Sequence, residues 1–217
     1  MRKRLHARVT RIKLIPNITD YHKKYLEIPQ EHKSMGILAC DMENVMYPAL
    51  DHASKEANIK VVYSSSAYMG RSNLWAQVRG QVIGIITGAN VADVKKGLDY
   101  IRVFIEKEAE LYAFDEEERM LCYAHLMPRC GKHYRESYGI PRGMAAVHLA
   151  TSPLENTYAL DKALKAGNTR VAKLFDLPTK SNIGGAILYG SQEACRASLD
   201  AYMNAVEYCC NHPMDLD

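Results

Sequence analysis

The feature that most constrains this chain is that it repeats itself. The stretch Met46-Tyr47-Pro48-Ala49-Leu50-Asp51-His52-Ala53 returns as Thr157-Tyr158-Ala159-Leu160-Asp161-Lys162-Ala163, so that Asp51 and Asp161 stand 110 positions apart. Each copy runs into a short basic strand, Asn58-Ile59-Lys60-Val61-Val62-Tyr63 and Asn168-Thr169-Arg170-Val171-Ala172-Lys173. A polar loop follows each strand, and the chain then comes back as an apolar strand ending in glycine, 82–88 in one half and 185–190 in the other. Self-similarity at this spacing means that one structural unit has been built twice.

Each glycine leads into an amphipathic helix. Val91, Val94, Leu98, Ile101 and Ile105 recur at three-and-four spacing in the first copy, as do Cys195, Leu199, Met203, Val206 and Cys210 in the second. An earlier apolar strand, Gly36-Ile37-Leu38-Ala39-Cys40, matches 145–150 and leads directly into the helix that carries the echoed motif. The expected order within a unit is strand, helix, strand, helix, strand, loop, strand, helix. That alternation implies an α/β (α+β) fold with helices layered on one sheet, most economically a ferredoxin-like arrangement. The expected units are residues 1–108 and 109–217. In the second, residues 115–127 read as a helix, and the basic start, residues 1–9, reads as a strand with a charged outer face.

Composition narrows the classes. Of 217 residues, 47% are apolar, ample for a buried core, and no apolar run approaches membrane-spanning length. The net charge of +3 is unevenly placed, with nine Lys/Arg against three Asp/Glu in residues 1–33, which disfavours a globally basic nucleic-acid binder. The start has no apolar core of a secretory signal, so export is not expected. Six cysteines in a chain this long fit a reducing cytoplasm better than a disulfide framework.

Catalytic signatures are sparse. The carboxylates Asp41, Glu43, Asp51, Glu155 and Asp161 are the natural acid–base candidates, but Asp51 and Asp161 occupy equivalent helical positions, which suits folding or assembly more than one active site. None of the glycine clusters has the spacing of a P-loop, dinucleotide fingerprint or nucleophile elbow. The one metal-like spacing is Cys122, His125, Cys130 and His133, two Cys-x-x-His pairs able in principle to hold zinc. Against it, a cysteine on the expected helix is ordinarily a small buried hydrophobe, so no metal is expected.

The two polar loops carry more. They leave the same place in each unit, and loops at equivalent positions of a duplicated unit can meet around a symmetry axis. The first holds Tyr68, Met69, Gly70, Arg71, Ser72, Asn73 and the chain's single tryptophan, Trp75; the second holds Thr179, Lys180, Ser181, Asn182, Ile183 and Gly184.

On Ile28-Pro29-Gln30-Glu31-His32-Lys33-Ser34-Met35-Gly36-Ile37, Val61-Val62-Tyr63, residues 152–166 and Gly190-Ser191-Gln192-Glu193-Ala194-Cys195, the chain resembles the tandem-domain, trimer-forming shell proteins of bacterial microcompartments, of the ethanolamine-utilisation type. The resemblance covers nearly the whole chain. It implies two circularly permuted microcompartment domains, a homotrimer forming a pseudohexameric tile, and edge-to-edge packing with neighbouring shell proteins around encapsulated enzymes in the cytoplasm. It implies no enzymatic activity, no nucleic-acid or membrane partner, and no required cofactor. The two loops would line a gated central pore wide enough for a transient cobalamin. Small pores would take a small alcohol or amino-alcohol near Glu43, Gln81 and Glu155. Gln81 stands where ethanolamine-type members carry a carboxylate, which opens the way to a neutral diol, and Lys180 stands where an acid is frequent, which favours anionic traffic.

Two other classes remain open on the residues alone. One is a small-molecule-sensing regulatory module of ferredoxin-like domains, which would stay a discrete oligomer where a tile forms arrays. The other is an enzyme acting on amino-alcohols or diols through Glu43 or Glu155.

Overall fold

The computed structural model describes residues 2–68, 80–116, 120–175 and 183–214. The chain forms two compact units. One comprises Ala7–Ala109 with Gly131–His133; the other comprises the N-terminal residues up to His6, Glu110–Cys130 and the chain from Tyr134 onward. They are called the N unit and the C unit below.

The N unit is built from β2 (Val9–Ile15), α1 (Asp20–Tyr25), β3 (Ser34–Cys40), α2 (Glu43–Glu56), β4 (Lys60–Tyr68), β5 (Gly80–Gly88) and α3 (Val91–Val103). Its antiparallel sheet has the order β2-β3-β5-β4. Met46 and Leu50 of α2, Ile101 of α3, and Leu38 and Ile86 of the sheet are fully buried. The regular α3 ends at Val103, where a five-residue π-helical turn, Phe104–Glu108, keeps Phe104 and Ile105 inside.

The C unit contains β1 (Lys3–Leu5), β6 (Leu111–Ala113), β7 (Leu121–Met127), α4 (Lys132–Tyr138, whose first two residues cluster with the N unit), β8 (Ala145–Thr151), α5 (Pro153–Ala166), β9 (Arg170–Phe175), β10 (Gly184–Gly190) and α6 (Gln192–Asn211). Its antiparallel sheet runs β1-β6-β7-β8-β10-β9. Without the added β1 and β6 the order is that of the N unit, strand for strand, and α2 and α5 are each 14 residues long. The ferredoxin-like expectation of helices on antiparallel sheets is met in both. The helices start as the glycine positions imply: after Gly88, Asn90 caps α3 by accepting from the Asp93 N–H at 2.9 Å, and after Gly190, Ser191 caps α6 from the Ala194 N–H at 3.1 Å.

Two elements differ from the sequence reading. The described residues of 115–127 are not helical: 121–127 form β7, a strand between β6 and β8. Leu121-Cys122-Tyr123-Ala124-His125-Leu126-Met127 is largely apolar at every position, so its periodicity favours neither state, and pairing on both sides decides for a strand. The basic start is broken into two strands. β1 pairs with β6, its flanking Arg2 bonding Glu207 at 2.8 Å and Arg4 bonding Glu110 at 3.1 Å, and β2 begins only at Val9. Part of the excess positive charge of the start is thereby matched by carboxylates of the C unit.

Candidate functional site

The two loops expected to carry function span identical connections, β4 to β5 and β9 to β10. Met69, Gly70, Arg71, Ser72, Asn73, Trp75, Thr179, Lys180, Ser181 and Asn182 lie outside the described residues. Their roots are described. Tyr68 closes β4 opposite Gly80, and Gln81 pairs through its backbone with Ala67. Ile183 precedes β10, and Gly184 is already a strand residue, opposite Thr151.

The root of the second loop is tightly packed. A Cβ on Gly184 would sit 2.8 Å from Asn156 of α5, and one on Gly185 would sit 2.4 Å from the Leu149 carbonyl oxygen and 2.9 Å from the Phe175 ring. No side chain fits at either place without displacing backbone or a buried amide. Asn156 is buried because its Oδ1 accepts from the Tyr202 hydroxyl at 2.7 Å, which anchors α5 on α6.

On the opposite face of that sheet, the His148 ring stacks on Phe175 at 5.5 Å, and its Nδ1 lies 2.8 Å from the Tyr134 hydroxyl. Tyr123 packs edge-on against His148 at 5.5 Å. Complete burial, reinforced by the neighbouring charge of His125, pushes the His148 imidazole down to about 3, so it is neutral at ordinary pH. The sequence reading did not pick out this support for the loop root. The signal available was a histidine in the middle of the otherwise apolar Ala145-Ala146-Val147-His148-Leu149-Ala150.

Each carboxylate expected to do chemistry has a structural partner. Asp41 accepts from the Arg8 N–H at 2.8 Å. Glu43 opens α2 and accepts from the Tyr47 hydroxyl one turn on, at 3.0 Å. Glu155 lies in the first turn of α5 and accepts from the hydroxyl of the N-cap residue Ser152. Asp51 pairs with Lys55 and with the Gly131 N–H, and Asp161 pairs with Lys165. Glu43 belongs to the N unit and Glu155 to the C unit; the Gln81 side chain is outside what the structure describes.

The Cys-x-x-His spacing does not become a chelating pair where it falls on β7. Residues three apart on a strand point to opposite faces. Cys122 faces the helices, its Sγ 3.6 Å from Met203 Sδ, while His125 shares the other face with Tyr123. Cys130 follows the strand, and His133 lies at the start of α4. Among the described residues no three His, Cys, Asp or Glu side chains converge to hold a metal ion, and no helix is long and apolar enough to cross a membrane.

No protein-family model matches the chain. It is 37% identical over 210 residues to the bacterial microcompartment shell protein EutL of Clostridium perfringens, covering 97% of each. The crystal structure of the ethanolamine utilization protein EutL from Leptotrichia buccalis superposes with a TM-score of 0.93 at 40% identity, covering 98% of both chains. A trimeric bacterial microcompartment shell protein, PduB, shares the fold at 16% identity, with a TM-score of 0.75 over 94% of this chain and 89% of that one.

Proposed function

The chain belongs to the EutL family of bacterial microcompartment shell proteins, and on that premise we propose that three copies close into a flat pseudohexameric tile. It is a structural component of a microcompartment shell and not an enzyme. The observation that carries the trimer reading is the matched strand order β2-β3-β5-β4 and β7-β8-β10-β9. Two near-equivalent units per chain give six around a threefold axis, and both loops then leave corresponding edges of corresponding units. The trimeric assembly of PduB, which shares the fold, supports the same stoichiometry.

The sheet edges support it too. β4 and β9 are the outer strands at the loop ends of their sheets, and β9 leaves Val171 46% and Leu174 41% exposed. An edge strand with apolar side chains open to water is a liability unless another surface covers it.

In this reading the residues between Tyr68 and Gly80, and between Phe175 and Gly184, frame a central opening with closed and open arrangements. A ligand shifts that balance only by binding one arrangement more tightly than the other. Three copies of Lys180 would present positive charge at the opening and draw anionic cargo, and a transient cobalamin is the bulky cargo such an opening would admit. Glu43, Gln81 and Glu155 are the candidate contacts for a small alcohol or amino-alcohol. Electron microscopy of the concentrated protein tests the tile: extended two-dimensional arrays are expected, whereas discrete oligomers at every concentration would favour the sensing-module reading.

A further inference from the structure

Duplication separates what the shared fold requires from what only one unit carries. Along α3, Lys96, Tyr100 and Val103 recur at the spacing of one helical face, a stripe distinct from the buried Val94, Leu98 and Ile101. With the caps Asn90 and Ser191 aligned, α6 carries Ala197, Ala201 and Asn204 at those positions, and His52 of α2 is answered by Lys162 of α5. The helix ends differ as well. α6 runs unbroken to Asn211, whereas α3 passes into the π-helical turn, closed by the Ala109 N–H donating to the Phe104 carbonyl at 2.8 Å. Single π turns of this kind are concentrated at functional positions of helices.

The unrepeated residues line one groove. His52, Lys96, Asp99, Tyr100, Val103 and Glu108 surround a cavity of about 460 Å³, a volume suited to a small organic molecule. The His52 ring lies 5.3 Å from that of Phe104 and 6.2 Å from that of Tyr100, steeply inclined to the latter. Val103, 37% exposed, adds an apolar wall. The Lys96 ammonium rests over the Tyr100 ring, 5.7 Å from its centre, so this aromatic face already holds a cation. Residues five apart face different ways on an α-helix, but the wider π turn returns Glu108 to the side of Val103. Asp99 is joined to Arg102 at 3.3 Å, and Glu108 is an exposed carboxylate.

We propose that this groove binds a planar aromatic cation of the aryl-amidine or aryl-amine class. The ring packs against Tyr100, His52 and Val103 and takes the place of the Lys96 ammonium, whose flexible stem lets it swing into water. The cation meets Glu108 in a charge-assisted hydrogen bond, two-pronged for an amidinium. An aromatic anion would gain Lys96 but face two carboxylates, Asp99 and Glu108, on the same rim. A cation without a ring would forgo the aromatic and apolar walls. All six lining residues belong to the N unit, and the site is independent of the pore reading.

The test uses the full-length protein with benzamidine as the probe. Benzoate, with the same ring and the opposite charge, and acetamidine, with the same cation and no ring, are the references at matched ionic strength. Binding is followed by calorimetry and by the Cε1–H resonance of His52, assigned by its loss in His52→Gln. Benzamidine should saturate with a dissociation constant on the order of 1 mM or tighter and move the His52 resonance, with both references at least about fivefold weaker. Tyr100→Leu should weaken benzamidine binding about threefold to tenfold, and the exposed change Glu108→Gln by a similar factor. Asp200→Asn, at the α6 position matching Asp99, should leave it unchanged. Benzoate binding as tightly as benzamidine would overturn the proposal, as would an unmoved His52 resonance at saturation or an unaltered affinity in Glu108→Gln.

Discussion

The backbone N–H of Gly131 donates to Asp51 Oδ2 at 2.7 Å, and a Cβ at Gly131 would lie 2.6 Å from both the Asp51 carbonyl oxygen and Oδ1. The position that repeats Asp51 one unit later, Asp161, has no such cover. Both aspartates reach a lysine one helical turn on, at 3.4 Å for Lys55 and 2.7 Å for Lys165, but the Asp51 side chain is wholly buried and that of Asp161 is 52% exposed. One duplicated ion pair has become an internal anchor, and the other has stayed on the surface.

The two aspartates should therefore behave differently. Asp51→Ala removes a buried acceptor and leaves the Gly131 N–H and Lys55 without it, so a loss of about 3–5 kcal/mol is expected. Asp161→Ala should stay within about 0.5 kcal/mol of the parent, as exposed helical pairs do. Urea unfolding of both variants checks this; equal effects would show that burial at Asp51 does not set its contribution.

Gly184 was expected in a loop and stands instead at the start of β10. Gly184→Ala must push aside Asn156, which the Tyr202 hydroxyl holds at 2.7 Å. Overpacking of this kind should cost about 1–3 kcal/mol. Tyr202→Phe, which leaves the buried Asn156 carbonyl unpaired, should cost a similar amount, about 1–3 kcal/mol. Because the two changes act on one amide, the double variant should fall short of the sum. Thermal and urea unfolding of the three proteins measure it, and strict additivity would separate Gly184 from Asn156.

His148 gives the stability a signed dependence on pH. Its folded value of about 3 lies below the ordinary 6.5, so between those values the unfolded chain binds the extra proton. Stability is intact above the ordinary value and falls as pH drops through this window, by up to about 1.4 kcal/mol per pH unit for one proton. His148→Leu should flatten the curve by that slope relative to the parent. Parallel slopes for the two proteins between about pH 6 and pH 4 would contradict the assignment.

Thiol reactivity should divide the cysteines by burial. Cys40, Cys122, Cys130 and Cys195 are buried. Removal from water pushes Cys40 up to about 12 and Cys195 up to about 11, and raises Cys122 as well. Cys209 and Cys210 are half-buried. Alkylation of the native protein, read by peptide mass spectrometry, should mark only Cys209 and Cys210, with the other four labelled after denaturation. Early labelling of Cys40 or Cys122 would contradict the packing.

Much of the fold was legible because duplication supplies an internal control. The Asp51/Asp161 register, the glycines closing β5 and β10, and the three-and-four spacing in α3 and α6 each occur twice, and the structure places each pair in equivalent elements. β7 was not legible, since Leu121–Met127 is apolar on both faces and only its neighbours β6 and β8 settle its state. Nor was β1, whose pairing with β6 links Lys3 to Ala113 across the length of a whole unit. Of the candidate site, the equivalence of the β4–β5 and β9–β10 connections could be read from the repeat register. The support under them could not, because the His148–Phe175 stack, the Tyr134–His148 contact and the Tyr202–Asn156 bond join residues that only the folded sheet brings together.

The most direct measurement on the central claim is the solution mass by sedimentation equilibrium at micromolar concentration. Three copies of the 24.5 kDa chain in a single species, retained on dilution, is the predicted result. A stable particle of one chain's mass under the same conditions would contradict it.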